Sequence, residues 1–186
     1  MMRGRTFGFA GILLVFIWLM GMGACSKKTV PVRPEAGPGA GDAGTGEELL
    51  PDEAKWRELG LYSEPERKEF QAKAQIFENR NIYFDFDSYV LTDEAKSILN
   101  NKAQFLKRYP KVNVNIEGHC DERGTAEYNL ALGEKRAHSA YQYLVNLGIS
   151  PQRMVTISYG EERPIAMGQS EEAWAKNRRD HFVIDY

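Results

Sequence analysis

The stretch EGHCDERGTAEYNLALGEKRA, from Glu117 to Ala137, determines most of the fold that the sequence predicts. Apolar and polar residues alternate up to Glu117, which is typical of a strand, and a polar turn follows. From about Thr125 the spacing of apolar residues becomes that of a helix. Asp121 is therefore expected on a loop at the carboxyl end of a strand, just before a helix, where open α/β sheets bind ligands.

Arg136 is expected on the helix that follows Asp121, beside the apolar stripe of that helix. A carboxylate and a guanidinium that face one cleft could hold a ligand carrying both an ammonium and a carboxylate group. The alternative is an ordinary loop carboxylate and a solvated helix arginine. The two residues alone do not decide between these interpretations.

Strands and helices alternate on both sides of this stretch, and their order indicates the fold class. An α/β domain of the α+β sandwich type is predicted, with the order βαβαβ(α)β and two main helices on one face of a mixed four-stranded sheet. Residues 81–186 would form this domain, which is long enough for one core. The predicted elements are the strand Asn81–Phe86, a helix from Thr92 to Pro110, the strand Val112–Gly118, the helix Thr125–Asn146, the strand Met154–Tyr159, a short helix from Ser170 to Lys176 and the strand Asp180–Asp185.

Residues 1–24 have the pattern of an export signal, with two arginines ahead of the apolar core Phe7–Met20. A transmembrane helix is the alternative, but the uncharged run is only just long enough to span a bilayer. The sequence MGAC before Ser26 resembles a bacterial lipobox. This resemblance implies cleavage before Cys25 and acylation of Cys25. The serine that follows, in place of an aspartate, implies sorting to the outer membrane.

Two segments connect the predicted lipid anchor to the domain. Residues 25–51 begin with the lipidated cysteine and continue as a flexible linker, which is rich in proline and glycine and nearly free of large apolar residues. Residues 52–80 have the pattern of an amphipathic helical segment, in which Ser63–Glu66 resembles a capping box. This segment either packs against the edge of the domain or acts as a spacer.

Composition and residue spacing argue against enzymatic, metal-binding and nucleic-acid-binding functions. The formal net charge is −2, so a nucleic acid is not an expected partner. His119 and Cys120 are neighbours on a strand and point to opposite faces, so they are poorly placed to act as base and nucleophile. Cys120 shares the parity of the apolar residues and is expected to be buried. The three histidines are scattered along the chain, so neither a metal nor a cofactor is expected.

Four motifs follow one another between residues 83 and 179. They are YFDFDS (Tyr83–Ser88), GHCDERGTAEYNLALGEKRA (Gly118–Ala137), ISYGEERP (Ile157–Pro164) and EEAWAKNRR (Glu171–Arg179). In sequence and order they resemble those of the peptidoglycan-associated lipoproteins, within the wider family of OmpA-like peptidoglycan-binding domains. The resemblance covers roughly Ile82–Tyr186 and, together with the export signal, the whole plan of such a protein.

The resemblance implies a ligand and the roles of two residues. In this family the ligand is the meso-diaminopimelate side chain of the peptidoglycan stem peptide, whose free end carries an ammonium and a carboxylate on one carbon. By resemblance, Asp121 accepts a hydrogen bond from that ammonium. Arg136 donates two hydrogen bonds to that carboxylate, in a fork-to-fork geometry that a lysine cannot supply.

Five further residues match positions of the family's binding site. Arg123 would lie beside the carboxylates of the peptide, Phe86 and Asp87 would contribute main-chain contacts, and Leu132 would form the apolar wall under the aliphatic chain. Each has a structural alternative: a cap or loop carboxylate for Asp87, a core position for Leu132 and a solvated loop for Arg123. Arg178 ranks below the others, because it could equally pair with a glutamate of its own motif.

The implied function is that of a non-enzymatic outer-membrane lipoprotein that binds peptidoglycan and holds the membrane to the wall. By resemblance, the protein acts in the Tol-Pal system of cell division and envelope integrity, and the periplasmic protein TolB binds a surface that overlaps the wall-binding face. A wall-binding module of another envelope machine, such as a motor or a secretion system, is the alternative. A periplasmic hydrolase acting on the wall is a second alternative, which the release of soluble muropeptides would reveal.

Replacement of Cys25 by alanine should give an unlipidated protein that no longer partitions with the outer membrane, because the acyl chains on this thiol are the predicted anchor. Incorporation of radiolabelled palmitate and membrane fractionation measure the two effects. If the variant still incorporated palmitate, or stayed on the membrane after loss of its signal segment, the lipobox interpretation would be wrong.

Overall fold

The structure is a computed structural model and describes residues 51–185. The predicted export signal, the predicted lipidation site Cys25 and all but the last residue of the predicted linker lie outside the described residues. Between residues 51 and 185, no helix combines the length and the hydropathy that are needed to cross a bilayer.

Helices and strands alternate along most of the described chain. The helices are α1 (Pro51–Leu59), α2 (Glu64–Asn79), α3 (Asp93–Arg108), α4 (Ala126–Asn146) and α5 (Glu171–Asn177), with a short 3-10 helix at Pro151–Arg153. The strands are β1 (Ile82–Tyr83), β2 (Asn113–His119), β3 (Met154–Gly160) and β4 (Arg179–Asp185).

The four strands form one mixed sheet in the order β1-β4-β2-β3. The central strand β2 pairs in parallel with β3 and antiparallel with β4, and β1 pairs antiparallel with β4. Helix α4 connects β2 to β3 and packs on both strands, as a parallel pair requires a crossover connection. The predicted fold class, α+β with a mixed four-stranded sheet, is confirmed.

Three helices begin directly after the residues at which the sequence predicts their start, and each of these residues caps its helix. The Oγ1 atom of Thr125 accepts a hydrogen bond from the backbone N–H of Tyr128, at 3.2 Å. Thr92 and Ser170 cap α3 and α5 in the same way. Each cap satisfies a backbone donor that the first turn of a helix leaves unpaired. The cap at Thr125 fixes where the loop that carries Asp121 ends.

The segment 52–80 forms two helices, because Gly60 adopts a φ of 77° after α1. Helix α2 buries Phe70, Ala74 and Phe77 in the same core as the residues of α3 and the sheet. A pair of hydrogen bonds of 2.7 and 2.8 Å between Arg67 and Glu53 joins α2 to α1. Of the two interpretations of this segment, the structure shows packing against the domain.

The first strand is shorter than the predicted strand Asn81–Phe86. Only Ile82–Tyr83 is paired as a strand, although the backbone N–H of Phe84 still donates to the carbonyl of Arg178 at 3.0 Å. Asp87 then adopts a φ of 52°, in the left-handed region that few non-glycine residues occupy. The chain turns away from the sheet, and the turn brings Phe86 and Asp87 to the carboxyl end of β2.

Two glycines allow α4 to lie directly on β2. A Cβ atom added to Gly118 would lie 2.0 Å from the carbonyl oxygen of Gly133, and one added to Gly133 would lie 2.9 Å from the carbonyl oxygen of Gly118. No real side chain fits at the first distance, so backbone meets backbone at this contact. The close approach sets how near the residues of α4 come to the end of β2.

Gly118→Ala should therefore lower the free energy of unfolding by about 1–3 kcal/mol or more, the usual cost of overpacking a core. Chemical denaturation would measure the change. The control is Asn115→Ala, at a half-buried position of the same strand, which should change stability by only about 0.5 kcal/mol. Equal losses in the two variants would show that the contact between α4 and β2 is not tight.

Candidate functional site

A cleft of about 210 Å³ lies at the carboxyl end of β2, where the turn after β1, the loop before α4 and the end of α5 meet. We refer to it as the Asp121 cleft. All seven residues that the sequence predicts for ligand binding line it, although they come from three separate parts of the chain. The lining residues are Phe86, Asp87, Cys120, Asp121, Arg123, Gly124, Tyr128, Asn129, Leu132, Arg136 and Arg178. Another cleft, of about 290 Å³ between α2 and α3, contains none of the predicted residues.

Asp121 is 4% exposed and accepts four hydrogen bonds from two arginines. Arg123 donates to its carboxylate from the backbone N–H (3.1 Å), from Nε (3.0 Å) and from Nη2 (2.7 Å). Arg178 donates from Nη1 at 3.2 Å. Burial alone would raise the pKa of the Asp121 carboxyl, but the hydrogen bonds from the two arginines outweigh it and keep this pKa below its ordinary value. Asp121 is therefore a carboxylate with every acceptor position in use.

Glu171 completes a ring of ion pairs with these three residues. Its carboxylate lies 2.7 Å from Arg178 Nη2 and 3.6 Å from Arg123 Nη1. The ion-pair ring thus consists of Asp121, Arg123, Glu171 and Arg178, with the two charge signs alternating. Arg178 pairs with the glutamate of its own motif, as one interpretation of the sequence has it, and at the same time lines the cleft.

Arg123 is in contact with two aromatic rings. Its guanidinium carbon lies 4.1 Å from the ring centre of Phe86 and 4.1 Å from that of Trp174. A guanidinium this close to a ring centre gains a cation–π attraction from that ring. The side chain is 30% exposed, so Arg123 is neither a free solvated residue nor a fully buried one.

Arg136 is almost completely buried, with 1% of its surface exposed, and its guanidinium is held by main-chain carbonyls. Nε donates to Ser88 (2.8 Å), Nη1 to His119 (2.8 Å) and Nη2 to Asp85 (3.3 Å). Nη1 also contacts the sulfur of Cys120 at 3.3 Å. Four of the five N–H groups of this guanidinium are therefore in use. A fork of two hydrogen bonds to a ligand carboxylate would require some of these bonds to break.

The turn after β1 is fixed by a tyrosine from α4. The hydroxyl of Tyr128 donates to the carboxylate of Asp87, and this hydrogen bond raises the pKa of the tyrosine. Phe86 stays 60% exposed at the rim, so its ring is available to a ligand or partner as well as to Arg123. Leu132 is 8% exposed and lines the floor, which fits both a core position and an apolar wall.

His119 and Cys120 do not form a catalytic pair. Cys120 is buried, as its parity predicts, its Sγ donates to the carbonyl of Asn129, and burial raises the pKa of its thiol to about 11. His119 stacks on Tyr159 at 5.5 Å, and burial lowers the pKa of its imidazole to about 3. A neutral thiol and a neutral ring have little reactivity at neutral pH. Within residues 51–185, no group of three His, Cys, Asp or Glu side chains could hold a metal ion.

The sequence did not single out three residues that shape the cleft: Tyr128, Asn129 and Trp174. Asn129 is 2% exposed, and its amide donates to the carbonyls of Asp121 (3.3 Å) and Arg123 (3.2 Å), which fixes the loop. Its position on the helix line of Arg136 is a signal that could have identified it. Trp174 gives no comparable signal, because its contact with Arg123 joins residues far apart in the chain.

The mixed sheet with a charged cleft at the carboxyl end of β2 makes this an α+β domain with a candidate binding site. The family model described as the OmpA family matches residues 83–178. A peptidoglycan-associated lipoprotein of Brucella melitensis is 37% identical over 93% of this chain and 90% of its own length. That of Pseudomonas aeruginosa is 41% identical over 80% of this chain and 75% of its own length.

The solved structures agree with these relatives. The crystal structure of the peptidoglycan-associated lipoprotein from Burkholderia pseudomallei is 46% identical, with a TM-score of 0.56, and the match covers 57% of this chain and 91% of that one. The C-terminal domain of Helicobacter pylori MotB, at 24% identity and a TM-score of 0.54, shares the fold. The chain belongs to the OmpA family, among the peptidoglycan-associated lipoproteins. This is a family of structural proteins and not of enzymes, in agreement with the non-enzymatic function that the sequence predicts.

Arg136→Lys should destabilise the fold, because an ammonium cannot reach three carbonyl oxygens that a planar guanidinium bridges. One buried carbonyl left unpaired costs about 1–3 kcal/mol, and urea denaturation would measure the loss. The control is Arg57→Lys, the same change at an exposed position of α1, which should be nearly neutral. Equal stability of the two variants would contradict a structural role for Arg136.

Proposed function

We propose that this protein is an outer-membrane lipoprotein that binds peptidoglycan non-covalently through the Asp121 cleft. The observation that carries the proposal is the convergence of all seven predicted residues on one cleft, which contains one carboxylate that is held by two arginines. The relatives of this chain are peptidoglycan-associated lipoproteins, by name.

The proposed ligand group is the free end of meso-diaminopimelate in the stem peptide. Its ammonium would bind Asp121, and its carboxylate would lie among Arg123, Arg136 and the main chain of Phe86 and Asp87. Charge complementarity supports this choice, since a zwitterion presents both signs to a cleft that presents both signs. Arg136 would contribute the N–H group that is not engaged by its carbonyl partners, instead of the two-pronged fork that the sequence alone suggests.

The tether is proposed from the sequence. Lipidated Cys25 would hold the chain to the outer membrane, and Lys27–Pro51 would reach about 80 Å when fully extended. That span would let residues 81–186 bind the wall while the anchor stays in the bilayer. The linker would act through its length, because its composition offers few specific contacts.

A role in the Tol-Pal system follows from the same family membership. TolB would bind a surface that overlaps the Asp121 cleft, so that wall and TolB exclude each other. The exposed rings of Phe86 and Tyr128 at the rim support such a surface, because aromatic side chains are common at protein interfaces. Competition between sacculi and purified TolB for the protein would test it. Simultaneous binding of both would contradict it.

Asp121→Asn should reduce binding to diaminopimelate-containing sacculi by well over tenfold, since removing one side of a desolvated charge contact costs about 2–5 kcal/mol. Co-sedimentation of the unlipidated mature chain with purified sacculi measures the effect. The matched control is Asp185→Asn, which neutralises an exposed carboxylate at the opposite end of the sheet and should bind as the wild type does.

The chemistry of the wall supplies an independent test. Walls with lysine in place of diaminopimelate lack the carboxylate beside the free ammonium, and the wild-type protein should bind them more weakly. Equal binding to both wall types would overturn the proposed recognition of diaminopimelate, whatever the Asp121 variant does.

A further inference from the structure

We propose that Arg123 occupies, in the free protein, the place on Asp121 that a ligand ammonium takes, and that binding transfers its guanidinium from Asp121 to the ligand carboxylate. Arg123 would thereby determine specificity, because only a ligand end with both charges completes the exchange. The inference rests on the proposed function of the cleft and adds how the cleft selects its ligand.

The first observation is that Asp121 has no acceptor position left. Its two oxygens accept four hydrogen bonds, three from Arg123 and one from Arg178. A carboxylate offers about four lone-pair positions, so an ammonium cannot bind it without displacing a present donor. Binding at Asp121 is therefore an exchange of partners.

The second observation identifies which donor leaves. Arg178 has 7% side-chain exposure, and its guanidinium also donates to the carbonyl of Phe84 at 3.1 Å and to Glu171 at 2.7 Å. Arg123 is 30% exposed, and both side-chain hydrogen bonds that its guanidinium makes within the described chain end on Asp121. Arg123 is the donor that can move with the fewest bonds broken.

The third observation is a path for the movement. The guanidinium carbon of Arg123 lies 4.1 Å from the ring centre of Phe86 and 4.1 Å from that of Trp174, so both rings can remain in contact with the guanidinium as it turns from Asp121 towards a ligand. Trp174 is held in place, since its indole N–H donates to Glu122 at 3.3 Å. Glu171, 3.6 Å from Arg123 Nη1, stays beside the guanidinium as it moves.

The exchange implies that one charge on the ligand is not enough. A simple amine would displace Arg123 from Asp121 and leave its guanidinium with only the longer contact to Glu171. A carboxylate on the same carbon as the ammonium gives the displaced guanidinium a new partner. Arg136 cannot replace Arg123 in this exchange, because four of its five N–H groups are engaged within the protein. The complex then has two ion pairs, one between Asp121 and the ammonium and one between Arg123 and the carboxylate, in place of the single pair between Asp121 and Arg123.

NMR of arginine Nε–H groups in the unlipidated mature chain would follow the exchange directly. Addition of meso-diaminopimelate should shift the Arg123 Nε–H signal, because its acceptor changes from Asp121 to the ligand, while the Arg178 Nε–H signal stays in place. Arg153, whose Nε–H donates to the carbonyl of Val112 far from the cleft, is the internal control. Backbone amide shifts of Asp121 and Gly124 report binding independently.

The outcomes separate the exchange from the proposed function. Shifts at the cleft amides with an unchanged Arg123 side chain would overturn the exchange and leave diaminopimelate binding intact. Cleft amides that stay unmoved by diaminopimelate would overturn both.

Arg123→Gln gives a second test, with cadaverine as the amine that lacks carboxylates. The variant should bind cadaverine roughly threefold or more tightly than the wild type does, because the competing guanidinium is gone, and should lose the preference for diaminopimelate. Weaker diaminopimelate binding with unchanged cadaverine binding would mean a plain ligand contact, and weaker binding of both would mean a structural role; either result overturns the exchange. Lys176→Gln, which removes one exposed positive charge from α5, should leave both affinities unchanged.

Discussion

The Asp121 cleft depends on one buried side chain, Arg136. Its guanidinium joins carbonyls from two segments that share no strand pairing at this point: Asp85 and Ser88 in the turn after β1, and His119 at the end of β2. A turn that leaves the sheet exposes backbone groups, which are costly to bury without partners. Arg136 satisfies them with charge-assisted bonds. Burial lowers its pKa from the ordinary value, yet an arginine stays protonated.

The contact between Gly118 and Gly133 makes this arrangement possible. Since α4 lies directly on β2, Arg136, which follows Gly133 on α4 by three residues, reaches the end of the strand. Arg136 holds the turn after β1. This turn places the ring of Phe86 against the guanidinium of Arg123 and the carboxylate of Asp87 against the hydroxyl of Tyr128. The aromatic contacts of Arg123 thus depend on the buried Arg136, and the position of Arg136 depends on the backbone contact between Gly118 and Gly133.

The fold was largely predictable because its signals are local. Alternation and helical spacing identify β2, α4 and the position of Asp121 between them, and caps mark where helices begin. The end of β1 was not predictable, since the left-handed Asp87 is stabilised by Tyr128, which lies far along the chain. The burial of Arg136 was missed for the same reason, because its partners are main-chain carbonyls of other segments. Every residue has such a carbonyl, so the residue types do not show which ones a distant side chain will meet. The aromatic contacts of Arg123 need α5 beside the turn after β1, which only the assembled sheet provides.

The charges of the cleft are already paired with each other, and this constrains any ligand that it binds. The ion-pair ring leaves neither Asp121 nor Arg178 without a partner of opposite sign, so a ligand gains only the difference between new and old pairs. Binding through the cleft would therefore be a reversible exchange of ion-pair partners. For the proposed tether that property is an advantage. A protein held to the membrane by its lipid and to the wall by an exchange of ion pairs can release the wall without unfolding. Many such proteins along the envelope would together keep the membrane attached to the wall, although each single contact is brief.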